Sequence, residues 1–165
     1  MRRVLFDSDI LLDVLAQRQP FVVASAQALN SVTQEWVEGY VSGHAITNIF
    51  YILRRQIGSD AARKLLSTLL ERIQVASVTD EVIRSALQSC VKDFEDAVTS
   101  EAARAAGLQI IITRNIADGC GIACSSNVTR RIFGKPIRIN LIDEFQRVRS
   151  LFSLNAIASP QAYNL

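Results

Sequence analysis

Val4-Leu5-Phe6-Asp7-Ser8-Asp9-Ile10-Leu11-Leu12-Asp13 decides the fold. An apolar run that stops at a carboxylate reads as a strand with a charge at its end. In open α/β folds, ligands bind beyond the carboxyl ends of the strands. If Asp9 opens a helix, Asp9 and Asp13 are four residues apart and share a face. Three like charges this close repel one another unless a cation sits among them. Oxygen ligands without Cys or His partners suit Mg²⁺ or Mn²⁺ rather than zinc. The same residues also read as an Asp N-cap on a short helix, with a second Asp facing water.

Working outward, strand and helix signals alternate. Residues 2–6 read as the first strand, and a short helix runs from about Asp9 to Leu15. Pro20 starts a second helix with Phe21, Ala24, Ala28 and Leu29 on its apolar side. Tyr40-Val41-Ser42 reads as a strand entered at Gly39. Residues 46–57 form a helix ended by Gly58, and Ser59 caps the next one. Ile73 to Val78 make another strand, Thr79 caps a helix to about Cys90, and Asp93 begins a helix that stops at Gly107. Gln109-Ile110-Ile111-Ile112-Thr113 is short, β-branched and almost wholly apolar. Continuous apolar strands separated by helices imply a sheet buried on both faces, hence parallel and sandwiched. The predicted fold is α/β, a three-layer α/β/α sandwich with a central parallel sheet, Rossmann-like.

Beyond Asn115 no clean period survives. Residues 116–134 hold Gly119, Cys120, Gly121, Cys124 and Ser125-Ser126-Asn127. Ile137-Arg138-Ile139 reads as a last edge strand, Leu141 to Phe152 as a final amphipathic helix, and the stretch from Ser153 as a tail. The expected organisation is a single domain over residues 1–152, with an insertion at 119–134, and a tail over 153–165.

A chain of 165 residues suits one domain with a real core. With 49% hydrophobic and 21% charged residues, its composition is that of a folded domain rather than a disordered one. No apolar run approaches the roughly 18 residues that span a bilayer. Asp7, Asp9 and Asp13 interrupt any signal-peptide core, so no membrane association is expected and the expected setting is the cytoplasm. Three cysteines, Cys90, Cys120 and Cys124, make an odd count, so no disulfide framework is expected. The lone histidine, His44, is far from them in sequence, which leaves a zinc site short of ligands. A net charge of +2 does not by itself indicate nucleic-acid binding, although Arg2-Arg3, Arg54-Arg55, Arg130-Arg131 and Lys135 with Arg138 offer phosphate contacts.

A second acidic cluster, Asp93-Phe94-Glu95-Asp96, opens a helix, where backbone N–H groups and the macrodipole favour negative charge. The following strand ends in Thr113-Arg114-Asn115 with Asp118 close by. Two strands ending in acidic or amide groups, with an acidic helix start between them, would share one rim of a parallel sheet.

Asp7-Ser8-Asp9-Ile10-Leu11-Leu12-Asp13, Asp93-Phe94-Glu95-Asp96-Ala97 and Thr113-Arg114-Asn115-Ile116-Ala117-Asp118, in this order, resemble the signature stretches of PIN domains. The resemblance covers residues 2 to about 118. It implies a parallel sheet flanked by helices and a Mg²⁺- or Mn²⁺-dependent ribonuclease. Many bacterial members are the toxin halves of toxin–antitoxin operons of the VapC kind. Position by position, Asp7 matches the first metal-binding aspartate and Asp96 the aspartate that opens the long helix, with Asp93 an auxiliary acid. Asn115 and Asp118 fall at the fourth position, and Ser8 at the small hydroxyl residue that follows the first aspartate. Asp7, Asp96 and Asp118 are thus the implied catalytic ligands. Thr113 and Arg114 flank them, with Arg114 a candidate for steering phosphate.

Two departures stand out. In the segment 45–53 the family's second acid is replaced by Asn48, whose carbonyl can still ligate a hard cation but brings no charge. In the stretch 119–134, Gly119 follows Asp118, and Thr129-Arg130-Arg131-Ile132-Phe133-Gly134 resembles a second pass at Thr113 to Gly119. The resemblance further implies an RNA substrate, an antitoxin partner and a homodimer formed through helices such as 46–72. His44 is expected to be structural or capping, and Trp36 and the phenylalanines to be core or interface. Two other readings compete. One is a PIN-like domain that has lost catalysis and is kept for binding RNA or a protein. The other is a haloacid-dehalogenase-like phosphatase with Asp7 as covalent nucleophile, although Leu11 stands where that family wants Thr or Val.

Overall fold

The computed structural model describes residues 1–114 and the backbone of Thr129–Arg131. β1 (Arg2–Phe6) leads through α1 (Ser8–Leu15) and α2 (Val22–Thr33) to β2 (Val37–Ser42). α3 (Gly43–Ile57) and α4 (Ser59–Leu70) then lead to β3 (Gln74–Ala76). α5 (Asp80–Leu87) and α6 (Phe94–Ala105) precede β4 (Ile110–Ile112), and β5 (Thr129–Arg131) follows. Every pairing is parallel, in the order β3-β2-β1-β4-β5.

β1 lies inside the sheet because its last three side chains are apolar on both faces. Val4 and Phe6 join the core formed with α1 to α4, and Leu5, on the opposite face, joins that formed with α5 and α6. Leu5 and Phe6 are wholly buried. Period-2 alternation along one strand thus feeds two separate cores, which makes the fold three-layered. Chain order runs from β1 outward through β2 to β3, then returns to the other side of β1 at β4. Between β1 and β4 the strand order reverses, and in open α/β sheets ligands bind beyond the carboxyl ends at such a point. Asp7 is the first residue past β1 at this point.

Local signals account for most element ends. Thr79 caps α5 by accepting a bond from the Val82 N–H at 3.4 Å, and Asp93 caps α6 by accepting one from the Asp96 N–H at 3.1 Å. Gly58, at φ +82°, ends α3 and at once precedes α4, so Ser59 is the first residue of that helix and not its cap. α2 starts at Val22, two residues later than Pro20 suggests, so Val22, Ala26, Ala28 and Leu29 face the core while Phe21 and Ala24 are exposed. Of the other aromatic residues expected in a core or interface, Phe6 is central, whereas Trp36 and Phe94 are exposed. Cys90 is disulfide-bonded, although the odd count of cysteines led to no disulfide framework being expected; such a count says nothing about which cysteines the fold brings together. β5 lies within the stretch read as an insertion. The strand expected at 137–139, the helix at 141–152 and the tail lie outside the described residues. No helix among the described residues is long and apolar enough to cross a membrane.

An ionic network ties α1 to α2 and to the end of β4. Asp13 is fully buried, accepts a bond from Ser25 Oγ at 3.0 Å and pairs with Arg114 Nε at 3.4 Å. Asp9 Oδ1 meets Arg18 Nη1 and Arg114 Nη2, each at 3.1 Å, and the Arg114 guanidinium lies 4.3 Å from the Phe21 ring centroid. Burial pushes the Asp13 carboxyl above its ordinary value, and the Ser25 bond and the Arg114 charge pull against that shift. Removing Arg114 would therefore strand a buried carboxylate. Arg114→Gln should lower unfolding stability at pH 7 by about 2–3 kcal/mol, below the full cost of breaking a buried pair because Arg114 is partly exposed. Urea titration would measure it. The loss should shrink as pH falls, since a protonated Asp13 leaves no charge unpaired. A change under about 0.5 kcal/mol, typical of an ordinary surface site, would show that Ser25 alone satisfies Asp13.

Candidate active site

Asp7 is held at the strand end by backbone and side chain together. Its N–H donates to the Ile112 carbonyl at 3.0 Å, which continues the β1–β4 pairing to the rim. Its Oδ2 accepts a 2.6 Å bond from Thr113 Oγ1, and its Oδ1 a 3.3 Å bond from Ser8 Oγ. The residue is 8% exposed. Burial raises the Asp7 carboxyl above the ordinary aspartate range, the Thr113 bond opposes this, and the Asp9 charge adds to it. A carboxylate so placed gains from a cation nearby.

Opposite Asp7 stands the first turn of α6. Asp93, Glu95 and Asp96 all face a cavity of about 400 Å³ whose wall also includes Asp7, Ser8 and Asn48. The sequence pattern therefore brings Asp7, Ser8, Asn48, Asp93 and Asp96 together, with Thr113 behind Asp7. The carboxylates ring the cavity rather than converge. Among the described residues no three Asp, Glu, His or Cys side chains are gathered tightly enough to hold one ion. Asn115 and Asp118, the remaining implied ligands, lie outside the described residues. The donors present are hard oxygens of net negative charge, the set that fits Mg²⁺ or Mn²⁺ and not a soft metal.

Of the three aspartates read together in the sequence, Asp9 lines the cavity with Asp7, whereas Asp13 lies outside its lining. Asp9 and Asp13 share a face of α1, as their spacing requires, and Arg18 and Arg114 neutralise that face. Arg114 is turned into this network, where its guanidinium meets Asp9 at the edge of the cavity and Asp13 behind it. Arg18 and Arg55 are the basic residues on the wall.

Glu95 is the residue that sequence reasoning passed over. Its Oε1 accepts a 3.4 Å bond from Ser8 Oγ, the hydroxyl that also reaches Asp7. It sat inside the acidic run already singled out. What identifies it is the approach of α1 to α6, which spacing alone does not reveal. His44, in the first turn of α3, is anchored through Nδ1 to Ser42 Oγ at 2.7 Å, while Nε2 lies 4.0 Å from Glu95 Oε1 without a hydrogen bond. Burial lowers the His44 pKa, and the charges of Glu95 and Asp7 act against that shift.

Comparison with known proteins agrees with this geometry. The PIN domain sequence model matches residues 3–117. A search of curated proteins gives no match. Among solved structures, the fold is similar to the VapBC2 complex from Rickettsia felis bound to a promoter DNA fragment, at 10% identity and a TM-score of 0.59, covering 80% of this chain and 99% of that one. It is similar to a toxin–antitoxin complex from Klebsiella pneumoniae at 21% identity and a TM-score of 0.56, covering 73% and 92%. It also resembles VapC20 of Mycobacterium tuberculosis, a sarcin-ricin-loop-cleaving toxin, at 17% identity and a TM-score of 0.54, covering 66% and 86%. Identities this low speak to the fold alone, and the phosphatase alternative finds no support among these matches. The sequence match, however, runs from the strand bearing Asp7 through the helix bearing Asp96 and past β4, and on that extent the chain belongs to the PIN domain family.

Proposed function

We propose that this protein is a Mg²⁺- or Mn²⁺-dependent endoribonuclease that acts in the cytoplasm as the toxin of a toxin–antitoxin pair. The observation that carries the reading is the placement of Asp7 at the β1–β4 junction, facing Asp93 and Asp96 across one open cavity. Solved structures of similar fold include toxin–antitoxin complexes and a toxin described as sarcin-ricin-loop-cleaving. An antitoxin segment occupying the acidic groove, and a homodimer, belong to the same proposal.

A divalent cation, when bound, would supply positive charge for the phosphate and acidify a water for attack. The protein's own residues hold that arrangement. Thr113 and Ser8 fix both oxygens of Asp7, so its carboxylate does not rotate away from the cavity. Asp93 secures the first turn of α6 and so sets the position of Asp96. Asn48 offers a neutral carbonyl oxygen on the α3 wall, and the sequence pattern assigns Asp118 and Asn115, outside the described residues, as the ligands that would complete the set. Arg18 and Arg55 flank the acidic floor, where a polyanion's other phosphates need counter-charge. One observation favours a second reading: with Asn48 the α3 wall carries one charge fewer than the family pattern, which would suit a domain that binds RNA without cutting it.

Cleavage of a mixed RNA panel decides between them. The parent should cut in Mn²⁺ or Mg²⁺ and not in EDTA, and Asp96→Asn should slow cleavage at least about a hundredfold, the scale of losing a charge-stabilising group. Metal-dependent cutting only by Asn48→Asp, with a silent parent, would identify a degenerate domain. Stability gives a separate check. Because the Asp7 carboxyl is raised, the native state holds its proton to higher pH than the unfolded chain does. Its contribution is full below the ordinary aspartate pKa and is lost as pH rises through the folded value. At pH 7 and in EDTA, Asp7→Asn should therefore raise Tm by about 2–4 °C, while abolishing the further rise that Mn²⁺ gives the parent. A Tm that falls in EDTA would show that the Asp7 charge is already compensated within the fold.

A further inference from the structure

The turn between α1 and α2 brings one arginine to the cavity. Gln17, at φ +53°, takes a left-handed conformation that non-glycine residues seldom adopt, and the residue that follows it is Arg18. The Arg18 N–H donates to the Asp13 carbonyl at 3.0 Å, and the Val22 N–H donates to the Arg18 carbonyl at 2.8 Å, so the main chain is fixed on both sides. The side chain is held much less. Its only ion pair among the described residues is a 3.1 Å contact from Nη1 to Asp9 Oδ1. Both partners line the cavity, with 33% of the Arg18 side chain and 39% of the Asp9 side chain exposed. Arg114 is tied more firmly. It reaches Asp9 through Nη2 and Asp13 through Nε, and it also lies over the Phe21 ring. Asp9 Oδ1 therefore meets two guanidiniums, an inner one tied at three points and an outer one tied at a single point.

We propose that Asp9 keeps the place of an RNA phosphate: Arg18 exchanges its bond to Asp9 for a backbone phosphate of a strand in the cavity, and Arg114 continues to neutralise Asp9. The inference rests on RNA being the ligand, as argued above, and goes further in naming Arg18 as a phosphate-binding residue and Asp9 as its built-in competitor. The chemistry favours the exchange. A guanidinium can grip a phosphate through two parallel N–H bonds, whereas the contact with Asp9 uses one nitrogen. Taking Arg18 from Asp9 strands no charge, because Arg114 stays on the same oxygen. The pair is also partly exposed, so water already screens it and little is lost when it opens. Arg114 is not free to do the same, since its departure would strand the buried Asp13 carboxylate. In the free protein the pair cancels the Arg18 charge, and the cavity offers this guanidinium only to an anion that displaces a carboxylate.

Fluorescence anisotropy with a labelled ten-nucleotide RNA, in EDTA and again in Ca²⁺, tests the proposal through a double-mutant cycle. At about 0.15 M salt, Asp9→Asn, which frees Arg18, should tighten binding by about 2- to 7-fold, the effect of a partly exposed ion pair together with one screened charge. In the Arg18→Ala background the same change should tighten binding by only about 1.4-fold, the screened charge alone. Arg18→Ala by itself should flatten the dependence of log K on log salt by about 0.7, the contribution of one phosphate on a single strand. Arg18→Lys, which keeps the charge, should keep the slope. A pair that merely braced the α1–α2 turn would give the opposite sign, with Asp9→Asn loosening the wall and weakening binding. Weaker or unchanged binding by Asp9→Asn, an equal gain in both backgrounds, a salt slope untouched by Arg18→Ala, or no binding of RNA in either condition would each overturn it. The outcome separates from that of the catalytic reading. A parent that cleaves RNA in Mn²⁺ but shows no coupling between Asp9 and Arg18 refutes this inference alone. A parent that shows the coupling but never cleaves refutes catalysis alone.

Discussion

The junction of β1 with β4 at Asp7 is the constraint on which the rest of the rim depends. The backbone N–H of Asp7 closes on Ile112, and its carboxylate closes on Thr113, so one residue joins two strands through both main chain and side chain. Because β1 is buried on both faces, its end can shift only if both cores shift with it. The acid is thereby fixed at the place where strand order reverses. α1 starts from the same junction, which carries Ser8 toward Glu95 on α6. The opposing wall is thus measured from Asp7 as well.

Around that junction the acidic residues divide into two populations with opposite roles. Asp9 and Asp13 are matched by Arg18 and Arg114, with Ser25 and the Phe21 ring completing the enclosure. Asp7, Asp93, Glu95 and Asp96 share a cavity on which Arg18 and Arg55 are the only basic residues described. The arginine-paired acids stiffen the rim, and Asp7 is the cavity carboxyl that burial raises. Burial without a paired cation is what raises the Asp7 carboxyl. A shift of this kind is typical of sites that trade stability for ligand binding.

The α1–α2 turn links the fold to the polymer such a site would act on. Backbone bonds on both sides fix where Arg18 stands on the cavity wall, while its side chain keeps a single ion pair. A fixed main chain suits phosphate positioning, because only the side chain has to be ordered on binding. Solved relatives with the same fold at 10–21% identity show how little of the sequence the architecture needs.

Much of the fold and part of the site are legible in the chain itself. The alternation in β1, the apolar run of β4, and the caps at Thr79 and Asp93 act over a few residues, so local spacing determines them. The acid-bearing stretches also placed Asp7, Asp93 and Asp96 on one rim, because parallel strands put all their carboxyl ends on the same side, and the segment 45–53 added Asn48. Local spacing did not reveal the phase of α2, which left Phe21 and Ala24 outside, or the role of Ser59, which the glycine before it took over. It did not reveal that Arg114 and Arg18 would neutralise Asp9 and Asp13, that Glu95 would meet Ser8, or that Cys90 would find a disulfide partner. Each of these depends on a distance between elements far apart in the chain, as with Thr113 and Asp7, 106 residues apart. Sequence determines which groups stand at the ends of which elements. Only packing decides which of their charges are paired and which are left for a ligand, because pairing falls steeply with separation and separation is set by both cores at once.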